Sequence, residues 1–284
     1  MFNVCTKPHY VIEIIEGDVM SKVTYEEFYS VPDNENLKLD VIDSYFQENG
    51  NIGKYDKKMR CPDCRIPNLK YTPRGETHRS YLSAIDVNLH EASCAHRYDV
   101  SSTRNTKAYF ERLSDNQVVD KLASMLRALK RMSTNNGNSY TSIFQRPVDN
   151  PFILCTDNNR VNQIRRSLPR RNLNNSLKIE DVGLLCAFYA RDAHLKVEIK
   201  TKTRNNATYN LHYLHIYTSN GRQYRIYRGT HEDKVLPENS YDVVLIGKFN
   251  EKTLPFRLKR INLIEREIKD RICPNQYAIT LVEA

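Results

Sequence analysis

Residues 59–98 read MRCPDCRIPNLKYTPRGETHRSYLSAIDVNLHEASCAHRY, and this stretch carries the clearest structural signal in the chain. Cys61 and Cys64 enclose two residues, and two thiolates at this spacing can hold one side of a tetrahedral ion above a tight backbone turn. His90 and Cys94 are four residues apart, which would place both side chains on one face of a helix. We therefore predict a zinc site with the ligands Cys61, Cys64, His90 and Cys94.

The residues between these two pairs predict how the module is built. A hairpin turning at Pro73–Gly75 would follow the Cys61–Cys64 knuckle and precede the predicted helix. Four protein ligands leave no position for water, so the zinc would be structural rather than catalytic. Either His78 or His96 could replace His90 as a ligand. A redox pair is the other interpretation of the knuckle, although the βαβ setting of thioredoxin-like pairs is missing.

Residues 61–96 resemble the N-terminal zinc module of the competence CoiA-like family, in which a C-P-x-C knuckle is followed by a histidine on a helix and a cysteine. This chain differs because an acidic segment of 58 residues comes before the knuckle, and no recognisable nuclease core follows directly. The resemblance implies a role in bacterial nucleic-acid transactions. It also motivates the hypothesis of a subunit in a bacterial complex, with an antiviral role as one candidate.

Charge is unevenly distributed along the 284 residues. The net charge is +9, but residues 11–50 hold ten acidic residues against Lys22 and Lys38, which gives −8 there and +17 elsewhere. A basic body favours polyanions, since Lys and Arg release the counterions condensed on phosphates. The alternative is a merely solvated basic surface. The acidic residues 11–50 are a candidate docking arm for a protein partner, or an internal mimic of nucleic acid.

Cysteine use and hydropathy predict the environment. Three cysteines belong to the predicted zinc site, and the other four stand alone, as reduced thiols of the cytoplasm do: Cys5, Cys155, Cys186 and Cys273. No apolar window approaches the roughly 18 residues that span a bilayer. We expect a soluble cytoplasmic protein without a membrane partner.

The expected fold class is α+β, in four segments. Residues 1–58 form an acidic segment with a hairpin, 59–132 the zinc module and an amphipathic helix, 140–194 a basic helical connector, and 195–272 a small β-barrel. The capping-box pair Ser114 and Gln117 starts the amphipathic helix. A shorter helix is expected at 41–47, and a connector helix at 179–193, where apolar residues recur at helical spacing.

Five strand-like runs after Leu195, at 195–203, 208–218, 223–228, 241–249 and 255–264, resemble an OB-fold barrel. Asn220-Gly221 predicts a two-residue turn between the second and third runs. That turn would bring one set of side chains to a single face: Tyr213, His215, Tyr217, Tyr224 and Arg228. Aromatic rings beside cations suit single-stranded nucleic acid, although the tyrosines could instead form half of the barrel core.

A second phosphate-binding candidate is the arginine cluster Arg165, Arg166, Arg170 and Arg171, and Lys259 with Arg260 is a weaker third. The leading interpretation is therefore a non-catalytic, zinc-containing protein that binds single-stranded DNA or RNA. One alternative is a metal-dependent nuclease that uses Glu198 and Lys200 with Asp181 or Asp192. Another is the zinc-stabilised subunit suggested above, with a protein partner on the acidic arm.

Overall fold

The computed structural model describes residues 25–76, 78–134, 144–158, 162–175, 181, 183–204, 207–249, 260–263 and 279–283. These residues form a mixed α+β fold with several sheets, which agrees with the predicted α+β class. Most of the hairpin expected in segment 1–58, most of residues 133–139 between the second and third predicted segments, and the residues Cys5, Lys259 and Cys273 lie outside the described residues.

The N-terminal module is made of short elements: β1 (Glu27–Ser30), β2 (Glu35–Lys38), α1 (Leu39–Asn49), β3 (Met59–Arg60), β4 (Leu69–Thr72) and β5 (Tyr81–Ala84). β1 pairs with both β2 and β3, and β4 pairs with β5. The predicted short helix is confirmed as α1, which ends at Gly50 because this glycine adopts a φ of 69°. The predicted hairpin is confirmed as β4–β5.

Two helices follow, α2 (Thr103–Glu111) and α3 (Asp115–Thr134). The capping box that predicts α3 is present, because the Ser114 amide donates to Gln117 Oε1 at 2.8 Å and the Gln117 amide donates to Ser114 Oγ at 3.4 Å. One face of α3 is buried in a core that also takes side chains from later strands: Leu122, Met125, Leu126, Leu129, Phe152, Leu154, Val244 and Ile246.

The remaining strands are β6 (Ile153–Asn158), β7 (Asn162–Ser167), β8 (Arg170–Asn172), β9 (Cys186–Arg204), β10 (Ala207–Tyr217), β11 (Gln223–Gly229), β12 (Ser240–Phe249), β13 (Arg260–Leu263) and β14 (Ile279–Glu283). β6 pairs with β7 alone. The other seven form one sheet in the order β14-β12-β13-β11-β10-β9-β8, with a further pairing between β12 and β9.

The connector helix predicted at 179–193 is wrong, because β9 begins at Cys186. Ala187 and Tyr189 face the core below α3, whereas Cys186 and Phe188 face a second core within the sheet. A strand buried on both sides is a continuous apolar run, and periodicity alone does not separate such a run from a buried helix. The basic connector is therefore built from β6, β7, β8 and the first half of β9 rather than from a helix.

Candidate metal centre and nucleic-acid face

The four predicted ligands meet in one buried cluster. The sulfur atoms of Cys61, Cys64 and Cys94 and a ring nitrogen of His90 all lie within 4.8 Å of one another. Cys61 Sγ and Cys94 Sγ are 3.8 Å apart, and His90 Nδ1 is 3.3 Å from Cys64 Sγ and from Cys94 Sγ. Zn–S bonds of about 2.3 Å imply a tetrahedral S···S edge of about 3.8 Å. The cluster therefore has the donor set and the size of a tetrahedral metal site.

Loops, not a helix, position the second pair of ligands. His90 follows a single 3-10 turn at Val87–Leu89, and Cys94 precedes another at Ala95–Arg97. The predicted helix carrying both residues is therefore wrong, although the spacing correctly selected them. In the knuckle, the Arg65 amide donates to Cys61 O at 2.9 Å and Arg65 has a φ of 58°, which closes the tight turn that the sequence predicts.

The geometry identifies which histidine faces the three cysteine sulfur atoms. His90 is 1% exposed and presents Nδ1 to the sulfur atoms, whereas His78 is exposed and its Nδ1 contacts Arg79 O at 3.1 Å. His96 is half-buried nearby but points toward Asp63. Neither His78 nor His96 replaces His90 in this arrangement.

Burial sets the protonation of the thiols. It raises the pKa of Cys61 and of Cys94, so these thiols stay protonated at neutral pH unless a cation stabilises their thiolates. Hydrogen bonds from Cys61 and Cys94 lower the pKa of Cys64. Three thiols packed against an imidazole therefore form a site that only a bound cation can hold fully deprotonated.

Tyr25 supports the histidine ligand from outside. Its hydroxyl lies 2.8 Å from His90 Nε2, and its ring lies tilted against His96 with centroids 4.5 Å apart. Burial raises the pKa of Tyr25, which keeps the phenol neutral. When Nδ1 binds a metal, Nε2 carries the proton, and this N–H donates a hydrogen bond to the tyrosine oxygen. Sequence reasoning missed this residue, because it lies 65 residues from His90.

A buried ion pair ties the knuckle to β8. Arg170 Nη2 donates to Asp63 Oδ2 at 2.8 Å, and its guanidinium stacks over the Phe152 ring at 4.5 Å. His96 Nε2 lies 2.6 Å from the same Arg170 nitrogen and 3.5 Å from Asp63 Oδ2. Burial would raise the pKa of Asp63, but Arg170 and His96 outweigh it and hold that pKa well below its usual range.

The predicted arginine cluster is mostly engaged within the protein. Arg171 lies 2.5 Å from Asp181 and 3.7 Å from Glu26, and Arg166 pairs with Asp99. Arg165 lies on β7 opposite Cys155, with its Nε buried and no hydrogen-bond partner among the described residues. Phosphate binding by Arg170 or Arg171 would require breaking buried ion pairs. The structure therefore gives both residues a structural role.

The β10–β11 hairpin has a register different from the predicted one. Tyr217 pairs with Gln223, not with Tyr224, because residues 218–222 form the loop and the Thr218 amide donates to Arg222 O at 2.9 Å. A shift of one residue moves every side chain of β11 to the opposite face. Tyr224 and Arg228 are therefore buried, with Arg228 paired to Asp233 at 2.9 Å.

The corrected hairpin still presents aromatic and cationic side chains on its exposed face. This sheet face, which we call the tyrosine face, carries Glu198 and Lys200 on β9, Tyr213, His215 and Tyr217 on β10, and Gln223, Arg225 and Tyr227 on β11. Arg225 lies 3.8 Å above the Tyr213 ring, and the rings of Tyr213 and Tyr227 are 5.3 Å apart. Arg225 and Tyr227 were missed only because of the register.

The carboxylates suggested for a nuclease do not meet. Asp181 is buried against Arg171, and Asp192 lies 3.5 Å from Ser240 Oγ. Glu198 is instead surrounded by basic groups. Among the described residues, the cysteine and histidine cluster is the only group found that could hold a metal ion.

No helix in the described part of the chain is long and apolar enough to cross a membrane. Comparisons with models of known protein families, with curated proteins and with solved structures found no match, so the chemistry of the two sites carries the functional argument.

Proposed function

We propose that this protein binds single-stranded nucleic acid on the tyrosine face and that a structural zinc ion stabilises its N-terminal module. The observation that carries the proposal is the juxtaposition of partly exposed tyrosines with Arg225 and Lys200. Aromatic rings stack on bases of any sequence, while the cations contact phosphates. Tyr217 and Tyr227, each 37% exposed, are the most accessible rings of this face.

Zinc is the ion that best suits the proposed site. Three sulfur ligands and one imidazole are a common structural zinc set, and four protein donors leave no open position for a substrate. We expect one zinc per chain by elemental analysis of protein purified without chelator. Protein that is folded and contains no zinc would contradict this assignment.

We further propose that β9 to β13 form an OB-like barrel. The pairings support it, because β9 pairs with β10, β10 with β11, β11 with β13 in parallel, β13 with β12, and β12 again with β9. OB-folds are five-stranded, partly open barrels that bind oligonucleotides on one face. Amide contacts in NMR spectra between Leu245 and Phe188, and between Ile226 and Ile261, test this arrangement.

Binding should be tested with labelled single- and double-stranded oligonucleotides over a salt series, with and without Mg²⁺. We expect single strands to bind more tightly and the affinity to fall with salt, because phosphate contacts release counterions. Intact oligonucleotides with Mg²⁺ are expected for a non-catalytic protein, whereas cleavage would favour the nuclease alternative. Equal or absent binding of both forms would contradict the proposal.

A matched pair of variants locates the site. Tyr217→Ala removes an exposed ring from the tyrosine face and should weaken single-strand affinity by about 1 to 3 kcal/mol. Tyr81→Ala, on β5 in the N-terminal module, removes the same group away from this face. An equal loss of affinity in both variants would show that the bases stack elsewhere.

A further inference from the structure

Three basic side chains converge on one carboxylate in the middle of the tyrosine face. Glu198 Oε2 lies 2.8 Å from His215 Nε2 and 2.9 Å from Arg225 Nη2, and Glu198 Oε1 lies 3.3 Å from Lys200 Nζ. The three groups come from three neighbouring strands, because His215 pairs with Arg225 across β10 and β11, and Glu198 pairs with Tyr213 across β9 and β10.

Three basic side chains face a single carboxylate here, so the basic groups outnumber the acidic group. Arg225 lies within ion-pair distance of Glu198, yet its Nε and Nη2 donate no aligned hydrogen bond within the described residues. Glu198 meets this guanidinium through Nη2, and a planar fork of this kind can hold a planar or tetrahedral oxyanion through two of its nitrogens. Glu198 is about one-third exposed, so its position can be taken by a group arriving from solvent.

The surroundings favour a nucleotide phosphate over a simple anion. The Tyr213 ring lies directly below Arg225 and also below Lys200 Nζ at 5.7 Å, and Tyr217 stacks beside His215 with ring centroids 6.2 Å apart. A phosphate at the centre of this group would lie beside the Tyr213 and Tyr217 rings, which could stack on bases of the same strand.

We propose that Lys200, His215 and Arg225 form a phosphate subsite of the tyrosine face and that the Glu198 carboxylate occupies it until nucleic acid displaces it. The inference rests on the proposed single-strand binding and adds its regulation. Glu198 then acts as an internal competitor, which weakens binding of short or loosely held strands and leaves the basic groups paired in the free protein.

The test compares the single-strand affinity of Glu198→Gln with that of the whole wild-type chain. Removing the competing charge should tighten binding about 1.5- to 5-fold at low salt, which corresponds to the strength of exposed ion pairs. Glu111→Gln on α2, outside the tyrosine face, removes the same charge and controls for net charge.

A double variant assigns the gain to the subsite. In an Arg225→Met background, Glu198→Gln should tighten binding no more than Glu111→Gln does, while thermal melting confirms that each variant is folded. Wild-type binding with an unchanged or weaker Glu198→Gln variant would overturn the subsite and leave the proposed function standing. Equal gains in the Glu198→Gln and Glu111→Gln variants would also overturn it. Loss of all binding in wild type and Glu198→Gln alike would overturn both proposals.

Discussion

At the scale of single residues, Asp63 has two roles that its place in the knuckle creates. It lies between two metal ligands in sequence, and its carboxylate accepts the buried Arg170 guanidinium from β8. A buried ion pair is weak evidence for net stability, but breaking one leaves an uncompensated charge. The pair therefore fixes how the metal module meets the sheet more than it adds to stability.

We predict that Asp63→Asn lowers the free energy of unfolding by about 3 to 5 kcal/mol, because the Arg170 guanidinium would lose the carboxylate charge that faces it. Denaturant unfolding measures the change, with zinc content determined in parallel. The double variant Asp63→Asn/Arg170→Met should recover part of the loss, whereas Asp56→Asn, at an exposed position, should cost less than about 0.5 kcal/mol. A double variant no better than the single one would contradict this account.

Lys121 on α3 gives a pH-dependent prediction. Its ammonium lies 3.4 Å from Ile153 O and 5.4 Å from the centre of the Tyr109 ring, and burial lowers the pKa of Lys121 to about 8. The unfolded chain, with a lysine pKa of about 10.4, binds more protons than the folded chain between these values. The stability contributed by this residue therefore rises as pH increases from about 8 to about 10.

Lys121→Met should raise stability at pH 7 and reduce the increase between pH 8 and pH 10, because the buried charge is absent. Urea unfolding at both ends of this range measures the difference. Lys70→Met, at an exposed position on β4, should keep the wild-type pH dependence. An identical pH dependence in wild type and Lys121→Met would mean that the lysine is hydrated in the folded protein.

At the scale of elements, the β10–β11 hairpin shows where sequence reasoning succeeds and where it fails. The two strands and their Asn220-Gly221 loop are present as predicted, but the loop holds five residues and the register differs by one. Thr218 causes the difference, since its hydroxyl accepts from the Arg222 amide at 3.1 Å and lengthens the loop. A side-chain hydrogen bond of this kind is not encoded in strand periodicity.

Other features of the fold also differ in how far the sequence predicts them. Short-range patterns, such as the capping box of α3 and the spacing of the four ligands, were predictable because each depends on a few neighbouring residues. The first half of β9 was missed because two cores lie on its two sides, and the Asp63–Arg170 contact because it joins residues 107 apart. Such features depend on tertiary packing, which overrides local preference.

The register makes a prediction that separates two tyrosines seven residues apart. Tyr224 is 2% exposed and donates to Leu173 O at 2.8 Å, so Tyr224→Ala should cost about 3 to 5 kcal/mol of stability. Tyr217→Ala should change stability by less than about 1 kcal/mol, because that side chain faces solvent. Thermal and chemical unfolding of both variants decide it, and equal losses in the two variants would favour the two-residue turn, which places both rings on one face.

At the scale of the whole molecule, the metal module and the large sheet have separate apolar cores joined by polar contacts. The module core contains the three cysteine ligands with Phe28, Ile42 and Leu82, whereas the sheet cores contain none of them. Glu26 and Glu27, from the acidic segment 11–50, reach Arg171, Asn172 and Tyr189 of the sheet. Part of the acidic segment thus meets the basic body within one chain.

This separation predicts the result of removing the metal. Structural zinc contributes an apparent binding free energy of about 10 to 16 kcal/mol, comparable with the whole stability of a domain. A strong chelator should therefore unfold the module while β9 to β12 stay folded on their own cores. Hydrogen exchange should show lost protection in residues 59–97 and in β1, and retained protection in β9 to β12. Cys64→Ser should give the same pattern without chelator.

Nucleic-acid binding extends the same experiment to function, since the tyrosine face lies on β9 to β11 and contains none of the metal ligands. Chelated protein that keeps its sheet should therefore retain most of its single-strand affinity, whereas Tyr217→Ala should lose affinity with the metal still bound. Cys186→Ser, a buried cysteine outside the ligand set, is the matched control for Cys64→Ser and should keep its zinc. Loss of protection in β9 to β12 on chelation would show instead that the ion supports the entire fold. The polar contacts of Asp63, Glu26 and Glu27 would then transmit the unfolding of the module to the sheet.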